Sequence, residues 1–254
     1  MAQHATALIE QLQIRLYADG ADLAQMREMT QYPFVKGFTT NPSFMRLCGV
    51  DDYEAFARAA LEALPQYPIS LEVFADDFAD MEAQALTIAS WGANANIKIP
   101  VTNTRGEFAG DLIRRLSARG LVLNITAMTD AKQVAAVAKV MTPGVPALIS
   151  VFAGRVADAG RDPMPMMREC ATILQNYPAL ELLWASTRET YNIFQAEQVG
   201  CRVITVPAKI LQGLNKLGVS SEQLSLDTVK TFYRDALDAG YTLNALAQAP
   251  SQEG

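Results

Sequence analysis

Several shortages in the 254-residue sequence each remove a class of function. A single histidine, His4, stands near the N-terminus, so histidine triads, histidine metal sites and imidazole acid–base chemistry have no residue to use. The three cysteines, Cys48, Cys170 and Cys201, are far apart, odd in number and in no C-x-x-C pair. That argues against a disulfide framework or a zinc site and fits a reducing cytoplasm. No block of Lys or Arg occurs, and 27 acidic against 21 basic residues leave a net charge of −6, so nucleic acid is not an expected partner. No apolar run approaches the roughly 20 residues that span a bilayer. The opening "MAQHATALIEQLQ" lacks a basic segment followed by a long apolar one, so a soluble, unprocessed protein is expected.

What is present is a chain that is 50% apolar, enough for a substantial core. Eight short apolar runs recur along it: 14–18, 34–38, 69–74, 96–99, 121–125, 147–152, 180–185 and 202–206. The segments between them, such as "GEFAGDLIRRLSARG", carry apolar residues at helical spacing and often end in Gly or Pro. Strand and helix alternate, no linker rich in Ser, Gly or Pro divides the chain, and no G-x-G-x-x-G follows the first run. The pattern predicts an α/β fold, a single (β/α)8 TIM barrel over 1–254, rather than an open dinucleotide-binding sheet. Residues 1–13 read as a short N-terminal extension and 249–254 as a disordered tail.

Such barrels build their sites at the carboxyl ends of the strands. The polar residues falling there are Asp19, the "TTN" of 39–41, Glu72, Lys98, Asn124 with Thr126, Ser150 with Arg155, and Ser186 with Arg188. Each has an ordinary explanation. Asp19 and Asn41 are helix-cap and turn formers, Glu72 and Lys98 can be a structural ion pair, and arginines usually sit in water. Lys98 is the exception that focuses the site, because "NANIKIPVT" places it inside an apolar strand where a charge is costly. A lysine amine near a carboxylate and a hydroxyl is the equipment for a Schiff base, in which the protonated imine serves as electron sink for C–C cleavage. Glu72 is then the natural proton shuttle and Asp19 a second base.

At this point six motifs in order, "FTTNPSFM", "NIKIPVT", "LNIT", "LISVFAGR", "ASTR" and "TVPAKIL", resemble the transaldolase family from about residue 14 to about residue 215. The resemblance implies a metal- and cofactor-free class I enzyme that moves a dihydroxyacetone unit from a ketose phosphate to an aldose acceptor, typically in the pentose phosphate pathway. It implies catalytic roles for Lys98 as the Schiff-base lysine, Asp19 as acid–base of the cleavage, and Glu72 with Thr126 as the pair positioning a water. It further implies that Asn41, Asn124 and Ser150 hold the dihydroxyacetone hydroxyls, and that Arg155, Ser186 and Arg188 bind the phosphate.

Two positions separate the family's branches. Members resembling fructose 6-phosphate aldolase carry Gln in strand 3 and Tyr in strand 6, where transferring enzymes carry Glu and Phe; here stand Glu72 and Phe152. A Tyr hydroxyl can help protonate the enamine and release dihydroxyacetone, whereas Phe leaves it waiting for an aldehyde. Gly20, Val151 and Trp184 depart from the family pattern, and the Trp184 indole is expected to reshape the acceptor end. The alternatives are a dihydroxyacetone-releasing aldolase, a transaldolase for an unusual anionic sugar such as a sulfonate, and a catalytically silent sugar-phosphate-binding barrel. The stretch "LDTVKTFYRDALDAGYTLNAL" has apolar residues either for a partner subunit in a homo-oligomer or for its own barrel.

Overall fold

The computed structural model describes residues 8, 9 and 11–243; His4 and the expected tail at 249–254 lie outside the described residues. All eight apolar runs form strands: β1 (Arg15–Asp19), β2 (Val35–Thr39), β3 (Ile69–Glu72), β4 (Ala95–Pro100), β5 (Leu123–Met128), β6 (Ala147–Val151), β7 (Leu180–Trp184) and β8 (Val203–Pro207). They pair in parallel and in sequence order, and β8 returns to β1, closing the barrel.

The helices between them are α1 (Leu23–Met29), α2 (Pro42–Leu47), α3 (Tyr53–Ala63), α4 (Phe78–Ala89), α5 (Gly110–Ala118), α6 (Ala131–Val140), α7 (Ala153–Asp158), α8 (Pro163–Leu174), α9 (Tyr191–Val199) and α10 (Ala208–Gly213). Aspartates start many of them. Asp22, Asp52, Asp77, Asp130 and Asp162 each accept a hydrogen bond from a first-turn backbone N–H, a cap worth about 1 kcal/mol. α5 shows how its sequence packs: Leu112, Ile113 and Leu116 lie on one face and are buried, while Arg114 and Arg115 face out.

Inside the barrel, side chains follow the two-residue period of each strand. Tyr17, Leu148, Leu183, Ala185 and Val203 form an apolar plug, with Phe152 packed against it. Gly37 is demanded by this plug, since a Cβ there would stand 2.7 Å from the Tyr17 ring. Above the plug the inward positions turn polar, and this change creates the site. The chain divides into two compact units, Met1–Asn215 and Lys216–Gly254. The second holds α11 (Ser221–Asp238), which buries none of its side chains and leaves Phe232, Tyr233 and Leu237 exposed. Among the described residues no helix is long and apolar enough to cross a membrane.

Candidate active site

A cavity of about 630 Å³ opens at the carboxyl ends of the strands. Ten of the eleven expected site residues line it: Asp19, Asn41, Glu72, Lys98, Thr126, Ser150, Phe152, Arg155, Ser186 and Arg188. Asn124 lies one step deeper. It is fully enclosed, donates from Nδ2 to Ser70 Oγ at 2.9 Å and accepts from Ser150 Oγ at 2.6 Å. Its direct effect is to hold the Ser150 hydroxyl.

Lys98 is the one buried lysine among the described residues, 6% exposed. Strand register places it beside Glu72 on β3 and Asn124 on β5. Its Nζ lies 3.1 Å from Glu72 Oε2 and donates to the Thr40 carbonyl at 2.9 Å. Apolar neighbours in the chain, Ile97 and Ile99, face outward into the helix layer, which explains how a lysine sits in an apolar run. The other lysines near strands lie elsewhere: exposed Lys36 donates to the Pro33 carbonyl at the start of β2, and Lys209 is exposed on α10.

Asp19 ends β1 and accepts from Thr39 Oγ1 at 2.8 Å. Burial first, with a smaller push from the Glu72 charge, raises its carboxyl to about 6, against the opposing effects of Lys98 and the Thr39 hydrogen bond. Thr126 Oγ1 is buried with no hydrogen-bond partner among the described residues. It sits on the cavity wall, where its hydroxyl is free to hydrogen-bond an oxygen that enters the cavity. Asn41 does two things at once: its Oδ1 caps α2 by accepting from the Phe44 N–H at 3.0 Å, and the same side chain lines the cavity.

The outer rim is basic. Arg188 grips Asp158 through Nε (3.0 Å) and Nη2 (2.6 Å) and donates from Nη1 to the Ser186 carbonyl at 3.1 Å. Arg155 lies 5.5 Å from the centre of the Phe152 ring. The corner depends on close backbone contact. A Cβ on Gly154 would stand 1.7 Å from the Ser186 oxygen, and Ser186 itself takes a left-handed φ of 65°. Gly20, by contrast, has room, since a Cβ there meets only Gln25 Oε1 at 3.5 Å.

Trp184 corrects one expectation: it is 1% exposed and does not line the cavity. Leu183 on β7 and Ala185 just after it point inward, so the strand period sends the indole out into the helix layer. Thr205 and Ser70 are site-proximal residues that sequence reasoning passed over, because both sit within apolar runs; their only signal is an inward strand position. Among the described residues, no group of three or more His, Cys, Asp or Glu is arranged to hold a metal ion.

A family model described as Transaldolase/Fructose-6-phosphate aldolase matches residues 16–254. A probable transaldolase of Dehalococcoides mccartyi is 32% identical over 199 residues, covering 78% of this chain and 88% of that protein. One from Mesorhizobium japonicum is 33% identical over 202 residues, covering 79% and 88%. Among solved structures, dihydrodipicolinate synthase from Rhodopseudomonas palustris superposes with a TM-score of 0.54 at 12% identity, covering 89% of this chain and 80% of that one, a likeness of fold alone.

Proposed function

This chain belongs to the transaldolase/fructose-6-phosphate aldolase family, and we propose that it is of the transferring kind, moving a dihydroxyacetone unit from a ketose phosphate to an aldose acceptor through a Schiff base on Lys98. The observation that carries this reading is the buried Lys98 amine, 3.1 Å from the Glu72 carboxylate, in a cavity whose rim holds two arginines.

Lys98 adds to the ketose carbonyl, and Glu72 carries the proton that turns the carbinolamine oxygen into departing water. Thr126, with its unpartnered hydroxyl, supports that water beside Glu72. The imine then draws electrons from the neighbouring C–C bond as Asp19 takes the proton of the adjacent hydroxyl. A carboxyl raised to about 6 is well matched to accept and return a proton near neutral pH. The first aldehyde leaves, a second adds to the enamine, and the same groups act in reverse. Ser150, held by Asn124, and Asn41 receive the hydroxyls of the three-carbon unit, while Arg155, Arg188 and Ser186 receive the anionic end.

Phe152 favours transfer over release. It brings a hydrocarbon ring to the cavity where a hydroxyl would help water protonate the enamine, so the intermediate persists until an aldehyde arrives. Borohydride reduction in the presence of fructose 6-phosphate, read by intact mass and peptide mapping, tests the reading: an adduct on Lys98 is expected, and a protein that takes up no mass overturns it.

A further inference from the structure

We propose that Thr205 and Thr39 are positioning residues for Asp19, forming a directed chain of hydroxyls that holds its carboxylate aimed and ionised for the cleavage step. The proposal rests on the reading of Asp19 as base, and it concerns residues that reading does not need.

The direction follows from counting hydrogens. Thr39 Oγ1 donates to Asp19 Oδ1, and Thr39 Oγ1 and Thr205 Oγ1 are themselves hydrogen-bonded. A hydroxyl has one hydrogen. Since that of Thr39 goes to Asp19, the bond between the two threonines is donated by Thr205. The chain therefore runs from Thr205 to Thr39 to Asp19, each donor pointing toward the carboxylate, an arrangement that strengthens the last bond cooperatively and prefers a charged acceptor.

The topology explains why these two side chains can meet. β1 pairs with β2 on one side and β8 on the other, with Asp19 opposite Thr39 and Tyr17 opposite Thr205. The two threonines thus reach toward each other across the inner face of β1, between Tyr17 and Asp19, and form a floor beneath the carboxylate. Both are buried, at 2% and 4% exposure, where a hydroxyl is costly unless bonded and where an aliphatic residue like Val203 on the same face would fill the space. Thr187 Oγ1 donates to the Thr205 carbonyl at 2.7 Å and anchors this end of β8 to the loop after β7. The charged groups that act on the Asp19 carboxyl are Lys98 from β4 and Glu72 from β3, and β2 contributes the Thr39 hydroxyl that donates to it.

Thr205→Val and Thr39→Val remove a donor each while keeping nearly the same shape, and Thr205→Ser restores the hydroxyl. With fructose 6-phosphate and borohydride, Thr205→Val should shift the trapped species on Lys98 from the three-carbon adduct toward the uncleaved hexose phosphate adduct. Its cleavage rate should fall about three- to tenfold, the scale of one neutral hydrogen bond, and that of Thr39→Val further, because Thr39 is the residue bonded to the carboxylate itself. The acid limb of kcat/KM should move up in pH, further in Thr39→Val than in Thr205→Val, with Thr205→Ser near wild type. A folded Thr205→Val with wild-type adduct ratio and pH profile overturns the proposal, as does a Thr205→Ser that behaves like the valine variant. Wild-type protein that traps no adduct at all refutes the Schiff-base reading instead, so the two failures are distinct.

Discussion

Lys98 and Glu72 are register partners on neighbouring strands, and their charged groups meet 3.1 Å apart, Nζ to Oε2, inside the mouth of the barrel. A buried ion pair contributes little net stability, because desolvating both charges offsets their attraction. On the proposed function its value is chemical: the carboxylate would hold the amine where a carbonyl can approach and would move its proton.

Lys98→Ala should abolish borohydride trapping and reduce transfer to background while leaving a folded barrel, as seen by circular dichroism. Lys36 and Lys209, the other lysines near strands, are exposed. An adduct that persists in the variant means another lysine forms the imine.

Asp19 makes a pH prediction. Its folded carboxyl, near 6, lies above the ordinary value of 3.8, so the native state binds the proton more tightly than the unfolded chain. Ionising it therefore costs stability as pH rises through about 4 to 6, by roughly 2–3 kcal/mol in total. Asp19→Asn should raise the melting temperature at pH 8, with the gain fading by about pH 4, and should stop cleavage. A variant no more stable than wild type at pH 8 contradicts the assigned burial.

For the basic rim, Arg155→Ala or Arg188→Ala should weaken a phosphorylated donor about ten- to a hundredfold more than fructose, the worth of one charge-assisted contact. Steady-state kinetics on both donors decide it, and equal losses speak against anion binding at this corner.

Gly154→Ala tests the corner's backbone. The added methyl would overlap the Ser186 carbonyl, so α7 and the loop after β7 must separate. KM for a phosphorylated donor should rise at least about tenfold, with a stability loss on the order of 1–3 kcal/mol as for overpacking elsewhere. An unchanged KM would show that the contact does not set the site.

Phe152→Tyr turns on one oxygen atom. Transfer should fall and release of free dihydroxyacetone should rise, measured by a coupled assay with and without acceptor aldehyde. The rings are nearly isosteric, so folding should hold, although a hydroxyl without a partner costs roughly 1–3 kcal/mol. A wild-type protein that already releases dihydroxyacetone as fast as it transfers it overturns the transferring assignment.

The sequence by itself determined the eight strands, their alternation with helices and the end of the barrel where the cavity opens. Those features are written in local patterns: apolar runs of strand length, helical spacing between them, and polar residues where each run stops. It also singled out Lys98, because a charge within "NIKI" conflicts with its surroundings whatever the fold. Only the tertiary structure decided what depends on two distant segments meeting. Trp184 and Ala185 are adjacent in sequence, yet the pleat sends one into the helix layer and the other toward the cavity. Asn124 turned out to support Ser150 from below, because its partners come from β3 and β6. Thr39 and Thr205, separated by 166 positions, meet because barrel closure makes β8 and β2 the two flanks of β1. Strand periodicity can place such a residue on the inner face, but which hydroxyl donates to which carboxylate is settled by the register and stagger of the closed sheet.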